Sequence, residues 1–296
     1  MRHQQPQGVD TTDTTVTCAD GYELAARVFR PEPARDRGRT AVVLTATGAK
    51  ASYYWRYAAF LAGEGMRVVV ADYRGIGRST PEGGLRGMRM RWHEWGTLDA
   101  DALIGWARED GPDREIVAVG HSFGGLAACL APQARELSRL LMVGTQHGYW
   151  RDYAPGHRAN MVWRWHLAMP LIARLLGYFP GRRLGWLEDM PRDVALDWAR
   201  SHRHFARTIG AGGEEILARM RELEIDVLAV AATDDPFATE PATTRTLAYL
   251  PRAHTRRHLI DPASVGVAEI GHLGLFHDRF RDSLWPDSAR WLDTGD

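Results

Sequence analysis

Residues 117–131, VAVGHSFGGLAACLA, constrain this chain more than any other stretch. An apolar run leads into Gly120, a lone serine stands between glycines, and a helical pattern of small residues follows. That order fits a strand, a corner too tight for neighbouring side chains, and a helix. The same rhythm extends along the chain. TAVVLTA (40–46), MRVVVADY (66–73), REIVAVG (114–120) and RLLMVG (139–144) are near-continuous apolar runs, as expected of parallel strands buried on both faces. Helical stretches over 53–63, 95–109 and 123–135 separate them. Alternating strand and helix predicts an open α/β sheet.

Two alternating segments, TTVTC (14–18) and ELAARVF (23–29), precede these runs and are split by Asp20-Gly21, a hairpin turn signal. After Gly144 the rhythm breaks. Residues 146–224 hold no convincing strand but carry Trp150, Trp163, Trp165, Trp186 and Trp198. Within them MVWRWHLAMPLIARLLGYFPG (161–181) predicts a helix broken at Pro170, whose arginines and His166 argue against a membrane span. IDVLAVAA (225–232) then restores the alternation, with a helix near 239–250, a strand near 255–260 and a last helix over 284–293. The simplest organisation is a core of residues 1–145 and 225–296 with a helical cap, 146–224, inserted into it.

Lysine plus arginine and aspartate plus glutamate number 37 each, so charge gives no reason to expect a nucleic-acid or membrane partner. No apolar run approaches the roughly 18 residues of a membrane span, and the polar MRHQQPQGVDTTDTT lacks the apolar centre of a signal peptide. A cytoplasmic protein is expected. Cys18 and Cys129 lie in apolar stretches and are expected to be buried and reduced.

Gly120-His121-Ser122-Phe123-Gly124 fits G-x-S-x-G between a strand and a helix, the setting in which a serine hydroxyl is presented at the edge of a sheet. The bland alternative is a tight corner that contains a serine by chance. A serine alcohol needs a base, and a base needs an orienting acid. Of twelve histidines, His272 in EIGHLGLF (269–276) follows the final strand, which gives the chain order Ser, acid, His; His277 is the alternative. His121 is expected to pack structurally. VLAVAATDDPFAT (227–239) places Asp234 and Asp235 just past a buried strand. Asp235, before Pro236, is expected to face the histidine, and Asp234 to cap its own turn. The oxyanion donors are expected to be the amides of Phe123 and, from the turn TATGAK, Ala49.

Gly75-Ile76-Gly77-Arg78 lacks the spacing of a phosphate loop, and His93-Glu94 is not H-E-x-x-H, so neither a nucleotide nor a metal site is expected. Arg158, Arg164, Arg182 and Arg183 read as a solvated face, with carboxylate recognition as the sharper alternative. The tryptophans of 146–224 are expected to form the cap core, with Trp150, Trp163 and Trp165 lining the substrate pocket.

Together with ADYRGIGRS (71–79) and GYFPG, these parts resemble the α/β-hydrolase superfamily over essentially the whole chain, and within it bacterial hydrolases related to serine aminopeptidases and monoglyceride lipases. The resemblance implies a sheet of about eight mostly parallel strands with helices on both faces. It also implies cofactor-independent hydrolysis of an ester, thioester or amide of a small-molecule acyl substrate. Acyl transfer or cyclisation would use the same residues. A non-catalytic binding protein of this fold would require a broken triad or a failed oxyanion hole, and the sequence displays neither. The sequence leaves the substrate and the oligomeric state open.

Overall fold

The computed structural model of the chain describes residues 8–296. The heptapeptide MRHQQPQ, on which part of the signal-peptide reading rests, lies outside the described residues. Eight strands form one sheet: β1 (Asp10–Thr17), β2 (Glu23–Arg30), β3 (Arg39–Leu44), β4 (Met66–Ala71), β5 (Glu115–His121), β6 (Leu137–Val143), β7 (Asp226–Ala232) and β8 (His254–Ile260). Their order is β1-β2-β4-β3-β5-β6-β7-β8. β1 and β2 make the hairpin expected at Asp20-Gly21, and β2 runs antiparallel to β4; every other pairing is parallel.

The apolar runs become central strands because both of their faces are covered. Val42 and Leu44 point into one core layer with Leu103, Ile104 and Leu126 from helices Asp101–Asp110 and Phe123–Leu130. Their neighbours Ala41 and Val43 point into the other, with Phe60 of helix Trp55–Gly63 and Trp285 and Leu292 of helix Trp285–Thr294. One residue of register separates the two layers. The edge strand β8 is exposed over most of its length and carries Arg256 and Arg257, charges that discourage pairing with another chain. Cys18 and Cys129 are buried free thiols.

Between β6 and β7 short helices alternate with turns and loops, and the only strand pairing there among the described residues is Tyr178–Phe179 with Met190–Pro191, a two-residue antiparallel pair that the sequence pattern does not predict. It is too short to show alternation. Pro170 also differs from expectation, because helical structure continues through it from Pro155 to Leu176. The turn at Val162–Ala168 is widened to the π form, which accommodates the hydrogen bond that proline cannot donate. The helix stops instead at Gly177, in left-handed conformation at φ 79°. Among the described residues no helix is long and apolar enough to cross a membrane.

Candidate active site

The corner between β5 and helix Phe123–Leu130 holds Ser122 at φ 53°, the only non-glycine residue with positive φ among the described residues. Such a conformation costs of order 1–3 kcal/mol and persists only where the surroundings impose it. The glycines impose it by close approach. A Cβ on Gly120 would lie 2.3 Å from Gly125 Cα, and one on Gly124 would lie 2.3 Å from the Leu44 carbonyl oxygen. The helix can therefore sit directly on the strand ends, and the serine is lifted off them.

Ser122 Oγ lies 2.9 Å from His272 Nε2, and His272 Nδ1 lies 2.7 Å from Asp235 Oδ2. Burial works against the charge on Asp235, but the facing His272 imidazole and the amides of Ala238 and Phe237 outweigh it, so its pKa is lowered. An ionised carboxylate can only accept, which puts the ring proton on Nδ1 and leaves Nε2 free to accept from the serine. This arrangement can take a proton from the hydroxyl and stabilise the resulting imidazolium.

Three supports hold the histidine loop. Ala46 donates its amide to the Tyr54 hydroxyl at 2.9 Å, and that hydroxyl lies 2.7 Å from His121 Nδ1. His121 Nε2 lies 2.9 Å from the His272 carbonyl oxygen, an atom that only accepts. The tautomer follows: His121 donates through Nε2 and accepts from Tyr54 at Nδ1. Burial, aided by repulsion from His272, lowers the His121 pKa to about 3, so the ring is neutral and its chain of hydrogen bonds is satisfied. The third support corrects an expectation. Asp234 caps the amides of Ile270 (2.8 Å) and Gly271 (3.0 Å) in the histidine loop, not its own turn. The turn is capped by Asp235 Oδ1, which accepts from Phe237 and Ala238. Residues 232–235 turn instead of running extended, with the Asp235 amide bonded to the Ala232 carbonyl, so simple strand alternation does not govern this pair. His277 accepts the Arg279 amide at 3.3 Å and makes no contact with Ser122.

The oxyanion region departs further from expectation. Phe123 opens the helix, so its amide has no intrahelical acceptor. The Ala49 amide, however, donates to the Ala46 carbonyl at 3.1 Å and is committed to its own turn. A side-chain donor reaches the serine from elsewhere. Gln146, the third residue past β6, holds Nε2 3.3 Å from Ser122 Oγ. Its Oε1 accepts the Gly148 amide, and because an amide N–H can only donate, that bond fixes which end of the carboxamide faces the serine. The sequence signal was available: Thr145-Gln146-His147 follows a strand ending beside the serine.

A cavity of about 530 Å³ opens onto Ser122 and His272. Trp92, Trp165, Trp186, Trp198 and Phe237 form its aromatic wall. Phe123 stacks on Trp92 with centroids 4.2 Å apart, and Trp198 stacks on Trp165 at 5.0 Å. Trp150 and Trp163, expected in this wall, are not in it. Residues two apart on a helix point roughly 200° apart, so Trp165 turns inward and Trp163 outward. Trp150 is partly exposed beside the Arg151 guanidinium. At the phosphate-loop-like stretch, Asp72 accepts the Arg78 amide at 2.9 Å, a structural turn. No group of histidine, cysteine and acidic residues suited to a metal occurs among the described residues.

Residues 38–264 match the family described as serine aminopeptidase, S33. The fold is similar to that of a soluble variant of monoglyceride lipase from Saccharomyces cerevisiae solved with a substrate analogue. That similarity has TM-score 0.70 at 14% identity and covers 99% of this chain and 97% of that one. A hypothetical protein from Pseudomonas aeruginosa (TM-score 0.65, 14% identity, 98% and 95% covered) and an esterase from Pyrococcus furiosus (0.60, 16%, 96% and 90%) are also similar. At these identities the likeness carries the fold, and it is the α/β-hydrolase fold. No curated protein sequence matches.

Proposed function

The chain belongs to the serine aminopeptidase S33 family of hydrolases, and on that premise we propose that it cleaves an ester, thioester or amide through an acyl-enzyme formed on Ser122. His272 Nε2 takes the hydroxyl proton as Oγ attacks the acyl carbonyl, and Asp235 stabilises the imidazolium. The Phe123 amide and Gln146 Nε2 receive the oxyanion. His272 then protonates the leaving group, and water, activated by the same imidazole, releases the acid. Protein groups supply every proton and charge in this sequence, so the proposal needs no metal or organic cofactor.

The observation that carries this reading is the continuous line from Ser122 Oγ to His272 to Asp235, 2.9 and 2.7 Å, at the strained corner. Residues 146–224 act as the cap, since Trp165, Trp186 and Trp198 close the cavity above the serine. The aromatic wall supports a medium or bulky apolar acyl group as substrate. A fluorophosphonate probe tests the core of the proposal. It should label Ser122 and fail on Ser122→Ala; no labelling of the folded wild type would reject an activated serine.

A further inference from the structure

The helical stretch Pro155–Leu176 is apolar on two faces. Met161, Trp165, Met169 and Ala173 are buried against the rest of the protein. On the outer face Trp163, Leu167, Leu171 and Leu175 repeat every four residues, with 60%, 55%, 57% and 76% of their surfaces exposed. Leu176 and, just beyond, Leu184 add to the same exposed set at 40% and 37%. Single exposed leucines are ordinary, but a contiguous apolar stripe marks a surface that something covers. A helix apolar all round is normally enclosed.

Charge indicates what covers it. Between Asp152 and Glu188 the chain has no acidic residue and five arginines, Arg158, Arg164, Arg174, Arg182 and Arg183. The whole chain is balanced, so this local excess is a property of the segment. Arg174 and Arg183 make no ion pair among the described residues, and Arg164 lies over the Trp186 ring. A second copy of this chain would set these unpaired arginines against each other across a symmetric contact. An apolar stripe with tryptophan at one end and cations beside it fits the boundary between lipid headgroups and acyl chains.

We infer that the outer face of Pro155–Leu176 docks on an anionic lipid surface, lying in its plane without crossing it. The same helix then separates that surface from the cavity, because Trp165 on its inner face lines the wall beside Ser122. The inference rests on exposure and charge and does not depend on the proposed catalysis.

Flotation of the full chain with vesicles tests it. Vesicles of phosphatidylglycerol and phosphatidylcholine in equal parts should carry the wild type, with binding that weakens as salt rises. Pure phosphatidylcholine should bind it on the order of tenfold less. Leu167→Ser with Leu171→Ser and Leu175→Ser should cut partitioning by on the order of tenfold or more, as should Arg174→Gln with Arg183→Gln. These side chains do not line the cavity, so both variants should keep the wild-type circular dichroism and hydrolyse a short water-soluble ester at the wild-type rate. Failure of the wild type to float, equal binding to both vesicle types, or unchanged binding of the leucine variant would overturn the inference. So would a wild-type dimer in light scattering that the leucine substitutions convert to monomer without any vesicle binding.

Discussion

The corner at Ser122 and the helix Pro155–Leu176 solve opposite problems. At the corner the polar groups around His272 are paired: Asp235 uses both oxygens, and His121 uses both nitrogens. Each partner there has one geometry it can adopt. The helix instead meets its surroundings mainly through apolar contacts on one face, with His166 bonded to the Ala199 carbonyl and the Tyr153 hydroxyl, and leaves a second apolar face open. Hydrogen bonding fixes direction, whereas apolar burial fixes only that a surface be covered. The corner therefore fixes one geometry around Ser122, whereas the helix supplies a wall of the cavity and leaves its outer face open for the docking proposed above.

If the corner is the proposed catalytic device, the largest effects must fall there. Ser122→Ala should lower kcat by on the order of 10⁶; activity within tenfold of wild type on folded protein would remove the serine from the reaction. Asp235→Asn should cost about 10⁴ in kcat near neutral pH by misplacing the His272 proton. Asp234→Asn keeps the triad intact and loosens the histidine loop, so it should cost about tenfold in kcat at most. The reverse ranking would reassign the acid. Gln146→Leu should lower kcat by about 10²-fold with little change in KM, as loss of one oxyanion donor does. A change confined to KM would make Gln146 a binding residue only.

The pairing of His121 makes a prediction about acid stability. Its folded pKa lies below the unfolded value, so on acidification the unfolded chain takes up the proton first. Its stabilising contribution is complete above the unfolded value of about 6.5 and is lost as pH falls toward about 3. The stability advantage of wild type over His121→Gln should therefore shrink by up to about 1.4 kcal/mol per pH unit across that window. Denaturant melts of both proteins at several pH values measure this, and a constant difference would show that the ring titrates equally in both states.

The smallest effects should come from the wall. Each methylene added to an acyl chain that finds aromatic contact should contribute up to roughly 0.8 kcal/mol to kcat/KM, and Trp165→Ala should flatten the series. Trp163→Ala should leave it unchanged, because that ring faces outward. Equal effects of the two tryptophans would break the distinction between inner and outer face.

The sequence by itself determined the sheet and the corner. Parallel strands covered on both faces must be apolar throughout, and a helix resting on strand ends must be lined with glycine, so both leave local marks that VAVGHSFGG and its companion runs display. His272 and Asp235 were legible for a related reason, since each stands just beyond a strand whose end the pattern locates. What tertiary structure alone decided has no local mark. Trp163 and Trp165 are the same residue type two positions apart, and only packing assigns one to the cavity and one to solvent. Trp92 reaches the wall from a turn far from residues 146–224 in sequence. Ala49 lost its expected part because its amide found a nearer acceptor in Ala46, and Gln146 stands at the serine because the Gly148 amide turns its carboxamide that way. Backbone demands are written into residue type, but the partner of a particular hydrogen-bonding group or ring depends on which chain segments the fold brings beside it.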